Sequence, residues 1–124
     1  GNTSENLVGI LERRLDTVAY RAKFAMTVFS ARQLINHGHV KVNGKKVNIP
    51  SYLVKAEDTI EIKDKSKELT MITGSMVSKE RDIPEYIQID EKNKTAKLVR
   101  VPKFSEIPYP TIMEPNLVIE YYSR

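Results

Sequence analysis

The sequence predicts an α+β fold: two short helices packed on a small antiparallel sheet, with a further helix and hairpin inserted and a C-terminal strand or tail. Three observations carry this prediction. Apolar residues recur at helical spacing through about residue 36, and from His39 the period changes to two. Between the alternating runs stands Asn43-Gly44, a tight-hairpin signal because both residues tolerate positive φ.

Thr3 or Ser4 suits the cap of a helix beginning near Asn6, since a short hydroxyl accepts from the free backbone N–H groups of a first turn. Leu7, Leu11, Leu15, Val18 and Ala22 form its apolar stripe. Asp16 is equally suited to cap a fresh helix, which leaves open one bent helix or two abutting ones. A second helix of about ten residues starts after Thr27, buries Ala31, Leu34 and Ile35, and stops at Gly38, which fits the left-handed position past a helix end. A helix so short needs tertiary packing. Val40 and Val42 then alternate with His39, Lys41 and Asn43, and Val47 and Ile49 continue the pattern on the return strand until Pro50 ends it. This places Lys41, Lys45 and Lys46 on the polar face or at the turn while the valines point to the core.

Residues 59–63 read as a third strand with Ile60 and Ile62 inward. Residues 69–78 form a weak helix interrupted by Gly74, and residues 86–90 and 96–101 are strands around the polar turn 91–94. Residues 102–115 hold four of the six prolines and read as a surface connection, before a last strand or tail at 117–121. The expected organisation is a flank at 1–9, a module at 10–67, a helix plus hairpin at 68–103 completing the same domain, and a connection and tail at 104–124.

A chain of 124 residues that is 40% apolar buries one modest core. The absence of cysteine excludes disulfides, thiolate zinc sites and thiol redox chemistry, and two histidines alone do not make a structural zinc site. No apolar run reaches the roughly 18 residues of a membrane span, and residues 1–6 lack the build of a secretory signal, so a cytosolic or similar reducing compartment is expected. Net charge is only +4, but residues 10–56 carry nine Lys or Arg against two acids, a local charge of +7, and the remainder is −3. So one-sided a segment suits a polyanion.

Enzyme chemistry finds no support. His37 and His39 are two apart with no carboxylate nearby, the glycines are scattered rather than forming a phosphate loop, and the serines lack a nucleophile elbow. Glu57-Asp58 reads as a turn before a strand. What stands out is a set of cations. Arg14 and Arg21, seven apart, share a helical face, as do Arg32 and Asn36, four apart. Glu12 and Asp16 give Arg13 and Arg14 nearby ion-pair partners, whereas Arg32, Lys41, Lys45 and Lys46 have no acid within nine residues. Guanidinium forks match phosphate oxygens, and Asn, Gln and His read RNA edges or 2′-hydroxyls. Tyr20, Phe24 and Phe29 are expected to pack in the core, and Tyr52, in a polar loop, is the better stacking candidate.

The run Leu11-Glu12-Arg13-Arg14-Leu15-Asp16, then Tyr20-Arg21, Ala31-Arg32-Gln33-Leu34, and above all the block from His37-Gly38-His39-Val40 through Asn43-Gly44-Lys45-Lys46 to Ile49-Pro50-Ser51-Tyr52, resembles the S-four family of bacterial small-subunit ribosomal proteins. The ending Glu114-Pro115-Asn116-Leu117-Val118-Ile119-Glu120-Tyr121-Tyr122-Ser123-Arg124 looks like that family's own C-terminus, so the resemblance covers essentially the whole chain. It implies that residues 10–67 are an S-four RNA-binding module (αL motif), and that in family members a helical region precedes the segment equivalent to Thr3, so that this chain is expected to be a fragment or the product of an unusual split gene. It further implies a primary binder of the 5′ domain of 16S rRNA that nucleates assembly and contributes to translational accuracy, contacts with neighbours such as the S-five protein, and, in some bacteria, repression of its own mRNA. Localisation would be the cytoplasmic ribosome, or the mitochondrial matrix for an organellar member. No cofactor, membrane or small-molecule substrate is implied. The rivals are a module detached from an RNA-modifying enzyme or a tyrosyl-tRNA synthetase, a ribosome-associated stress factor, and a protein-interaction domain with an incidental basic face. The candidate RNA-binding residues are Arg13, Arg14, Arg21, Lys23, Ser30, Arg32, Gln33, Asn36, His37, His39, Lys41, Asn43, Lys45, Lys46, Ser51 and Tyr52. Three positions depart from the family pattern: Met26 where proline is common, Leu53 where a cation is, and Glu57 where glycine is.

Overall fold

The computed structural model describes residues 9–78 and 82–102; the expected cap at Thr3 or Ser4, Leu7, the connection beyond Pro102 and the strand at 117–121 lie outside them. Residues 9–12 are helical, after which Arg14 turns extended (φ −60°, ψ 141°) and pairs in an isolated antiparallel bridge with Leu53. Helix α1 (Leu15–Arg21) then starts afresh, so the abutting arrangement is the one that forms. The cause is a competing set of acceptors. The Leu15 N–H donates to the Tyr52 carbonyl at 2.8 Å and the Asp16 N–H to the Pro50 carbonyl at 3.1 Å, satisfying first-turn donors that no helix can satisfy internally. Asp16 is therefore not the cap: Arg14 occupies that position without a side-chain bond, and Asp16 lies in the first turn, wholly buried.

Helix α2 (Val28–Asn36) forms where its spacing predicts. The Thr27 hydroxyl accepts from the Ser30 N–H at 2.9 Å, Ala31, Leu34 and Ile35 are buried, and Gly38 follows at φ +80°. The hairpin of β1 (Val40–Val42) and β2 (Lys45–Lys46) turns through Asn43 and Gly44 at φ +50° and +83°, the two left-handed residues that a tight hairpin matching strand twist requires. Strand β3 (Thr59–Ile62) sets Ile62 opposite Val40 and Ile60 opposite Val42. A 3₁₀ turn (Asp64–Ser66) and helix α3 (Thr70–Val77) lead to β4 (Ile87–Asp90) and β5 (Thr95–Leu98). All pairings are antiparallel in one sheet of order β2-β1-β3-β5-β4, so the second hairpin extends the first sheet through β5 against β3.

The core joins Leu15, Val18, Leu34 and Ile35 of the helices to Val40, Val42, Ile60, Ile62, Ala96 and Leu98 of the sheet. Two expectations need correcting. Ile49 is 56% exposed, because after the Val47 N–H meets the Val40 carbonyl the chain leaves the sheet to deliver the Pro50 and Tyr52 carbonyls to α1. Of the aromatics expected in the core, Phe24 is fully buried and Tyr20 half-buried, but Phe29 is 77% exposed.

Candidate nucleic-acid interface

Asp16 organises the arginines. Its buried carboxylate accepts from Arg14 Nε and Nη2 at 3.1 and 3.0 Å, from Arg32 Nε at 2.9 Å, and from the Thr17 hydroxyl at 3.3 Å. Burying a carboxylate is costly, and these charge-assisted bonds offset that cost. The result is geometric. Two guanidinium groups from separate elements, each side chain 27% exposed, meet on one acid beside residues 50–54, whose Ser51 and Tyr52 side chains are exposed. The count of acids near Arg32 in sequence missed this partner, which lies sixteen residues away.

From Arg32, α2 runs as a spine toward the hairpin. Gln33, Asn36 and His37 are exposed along it, and Ser30 sits in its first turn with its hydroxyl accepting from Thr27 Oγ1 at 3.0 Å. At its end, the Lys46 side chain crosses Gly38 so closely that a Cβ there would lie 2.8 Å from Cε and 3.2 Å from Nζ. An ammonium at a helix C-terminus is favoured by the carbonyl dipoles. Lys46 is directly opposite Lys41 in the ladder, and Lys45 and Lys46 are exposed. Among the described residues no carboxylate forms a salt bridge with Lys45, Lys46 or Lys55. Lys41 is close enough to Asp64 to help hold that carboxyl below its usual range, after the larger effect of Lys67. His39, half-buried, meets the Ser66 hydroxyl through Nδ1 at 2.6 Å; burial first, then Lys63 and His37, push its pKa down.

Other candidates are turned inward. Arg14 and Arg21 do not share a helical face, since Arg14 precedes α1 in extended conformation. Arg21 is 7% exposed and grips Glu12 through Nε and Nη2 at 3.2 and 3.3 Å, while the Tyr86 hydroxyl donates to the same carboxylate at 3.1 Å; its guanidinium also lies 5.5 Å from the Tyr20 ring centre. This buried network ties the N-terminal helices to the start of β4. Lys23, at φ +69°, donates its ammonium to the Ser78 carbonyl, and Arg13 Nε donates to the Val54 carbonyl at 3.0 Å. Asn43 is committed to the turn: Nδ2 donates to Asp58 Oδ1 and Oδ1 accepts from the Thr59 N–H, both at 2.9 Å. Asp58 also accepts from the Lys55 N–H at 2.9 Å, which agrees with reading Glu57-Asp58 as a turn. Glu57 adopts φ +76°, the conformation expected where the resembling family has glycine.

Comparison with known proteins supports the same region. The family model described as the S4 domain matches residues 13–60, which run from the Arg13 contact through the hairpin into β3. Across all 124 residues the chain is 72% identical to a small ribosomal subunit protein uS4 from Pelagibacter ubique, 60% to one from Granulibacter bethesdensis and 58% to one from Gluconacetobacter diazotrophicus. In each case all of this chain aligns, and it spans 60% of the relative's length. Residues 13–60 thus match the S4 domain model, and the chain is similar over its whole length to proteins named small ribosomal subunit protein uS4.

Proposed function

We propose that the chain is an RNA-binding part of a structural protein of the small ribosomal subunit, a primary binder of the 5′ domain of 16S rRNA that nucleates assembly and contributes to translational accuracy. The observation that carries the reading is the spine of α2, which joins the Asp16-tethered Arg14 and Arg32 at one end to Lys46 at the other. Gln33, Asn36 and His37 lie between, and Ser51 and Tyr52 flank the arginines. Planar forks held in place beside the ammonium groups of the hairpin suit a folded RNA whose phosphates converge at a junction, read by shape more than by sequence. The relatives' printed names place them in the small ribosomal subunit, which supports the assignment. The role is structural and involves no reaction. Contacts with neighbours such as the S-five protein, and binding to the chain's own mRNA, are further parts of the proposal. So is residence on the cytoplasmic ribosome, or in the mitochondrial matrix for an organellar source.

The test is titration of the 5′ domain of 16S rRNA with the chain at several salt concentrations. If about five cations (Arg14, Arg32, Lys41, Lys45 and Lys46) meet phosphates, log affinity falls against log salt with a slope of about −4. A slope near zero refutes the proposal.

A further inference from the structure

We infer that Phe29, Gln33 and Asn36 form a reading stripe for one unpaired RNA nucleotide, whose base stacks on the Phe29 ring while the two amides meet its edge. The inference rests on the RNA-binding proposal and deepens it by naming the feature of RNA that this face takes.

Phe29 is 77% exposed at the middle of the face opposite Ala31, Leu34 and Ile35. Gln33 and Asn36 follow at i+4 and i+7, both exposed, so the three lie along one line. An aromatic plane beside donor-acceptor amides is the equipment with which proteins hold bases that have left a helix. Charge selects the occupant. α2 contains no acid, Arg32 lies one turn from Phe29 at i+3, and Arg32 is held beside Arg14, so cations for the nucleotide's own phosphate stand next to the ring. A paired A-form segment cannot use the ring, because its bases are stacked on one another and it offers only phosphates, hydroxyls and base edges.

Two RNAs of equal nucleotide count separate the possibilities: a 16S 5′-domain junction fragment with unpaired bases, and a fully paired hairpin. The full chain and its Phe29→Ala, Phe29→Leu, Phe29→Tyr and Lys46→Ala variants are titrated with both, and thermal melts check folding. Phe29→Ala should bind the junction about ten-fold more weakly, leave hairpin binding and the salt slope unchanged, and keep the wild-type Tm. Phe29→Tyr should restore the loss, and Phe29→Leu should not. Wild-type junction binding by Phe29→Ala, with Lys46→Ala still weakened, overturns the stripe and leaves the RNA-binding proposal standing; a ring that docks on a protein gives this result. Full activity of Phe29→Leu overturns stacking in favour of simple apolar contact. Failure of the wild type to bind either RNA at low salt overturns both readings.

Discussion

Replacing Asp16 with Asn sets two physical effects against each other. The carboxylate receives three guanidinium bonds of 2.9 to 3.1 Å and one hydroxyl bond of 3.3 Å, and it is fully buried. Breaking a completely buried pair costs about 3 to 5 kcal/mol. Here the two arginine side chains keep 27% exposure, so water rehydrates and screens them, and the cost is closer to about 2 kcal/mol. For a domain of this size that lowers Tm by about 8 °C. The net charge of the cluster meanwhile rises by one. If charge alone governs RNA affinity, Asp16→Asn binds more tightly; if the acid matters by holding the forks in place, the variant binds the 16S 5′-domain fragment several-fold more weakly although it is more cationic. Thermal melts and titrations at two salt concentrations measure both. An unchanged Tm, or an affinity that rises with the charge, refutes the claim that Asp16 builds the surface.

Arg21→Ala and Lys46→Ala should separate structure from binding. Arg21→Ala leaves buried Glu12 without its cation, so urea unfolding should show a loss of about 3 to 5 kcal/mol, with no change in the salt slope of the remaining folded protein. Lys46→Ala should change stability by under about 0.5 kcal/mol and make the salt slope shallower by about 0.8. Gly38→Ala forces a side chain into φ +80° and against the Lys46 stem, so melts should show about 1 to 2 kcal/mol of destabilisation, and RNA titrations a weaker complex as that ammonium is displaced. Acidification should expose His39. Its folded pKa lies below the ordinary 6.5, so as pH falls through that value the unfolded chain takes the proton first, and stability present above 6.5 is lost. The Tm drop from about pH 7.5 to about 5.5 should therefore be larger in the wild type than in His39→Gln, and equal drops refute this.

The sequence disclosed α2, β1 and β3 because local chemistry determines them: a hydroxyl cap at Thr27, a left-handed Gly38, and a two-residue turn at Asn43-Gly44. It did not disclose where α1 begins, since carbonyls more than thirty residues away, at Pro50 and Tyr52, decide that. The fate of the charges was hidden for the same reason. Glu12 meets Tyr86 across 74 positions, Lys23 meets Ser78 across 55, and Arg32 meets Asp16 across 16. Neighbours in sequence cannot show which arginine is consumed. Phe29 is different. Once Ala31, Leu34 and Ile35 define the inward face, helical geometry already turns Phe29 outward, so the signal was present and a general expectation about aromatics overrode it.

The local charge of +7 over residues 10–56 therefore overstates the cationic surface and understates its order. Arg21 is neutralised by Glu12, Lys23 and Arg13 bond to carbonyls, and Arg14 and Arg32 together keep one net charge after Asp16. Less total charge weakens attraction at a distance, which salt screens within about 10 Å in any case. In exchange, two forks that would otherwise lose rotamer freedom on binding are already held, and the entropic cost of docking them falls. The lysines of the hairpin, on flexible stems and without salt-bridge partners among the described residues, should then carry the larger share of the salt dependence. The tethered arginines should set where on the RNA the chain sits, because only a site with phosphates at their fixed spacing satisfies both at once.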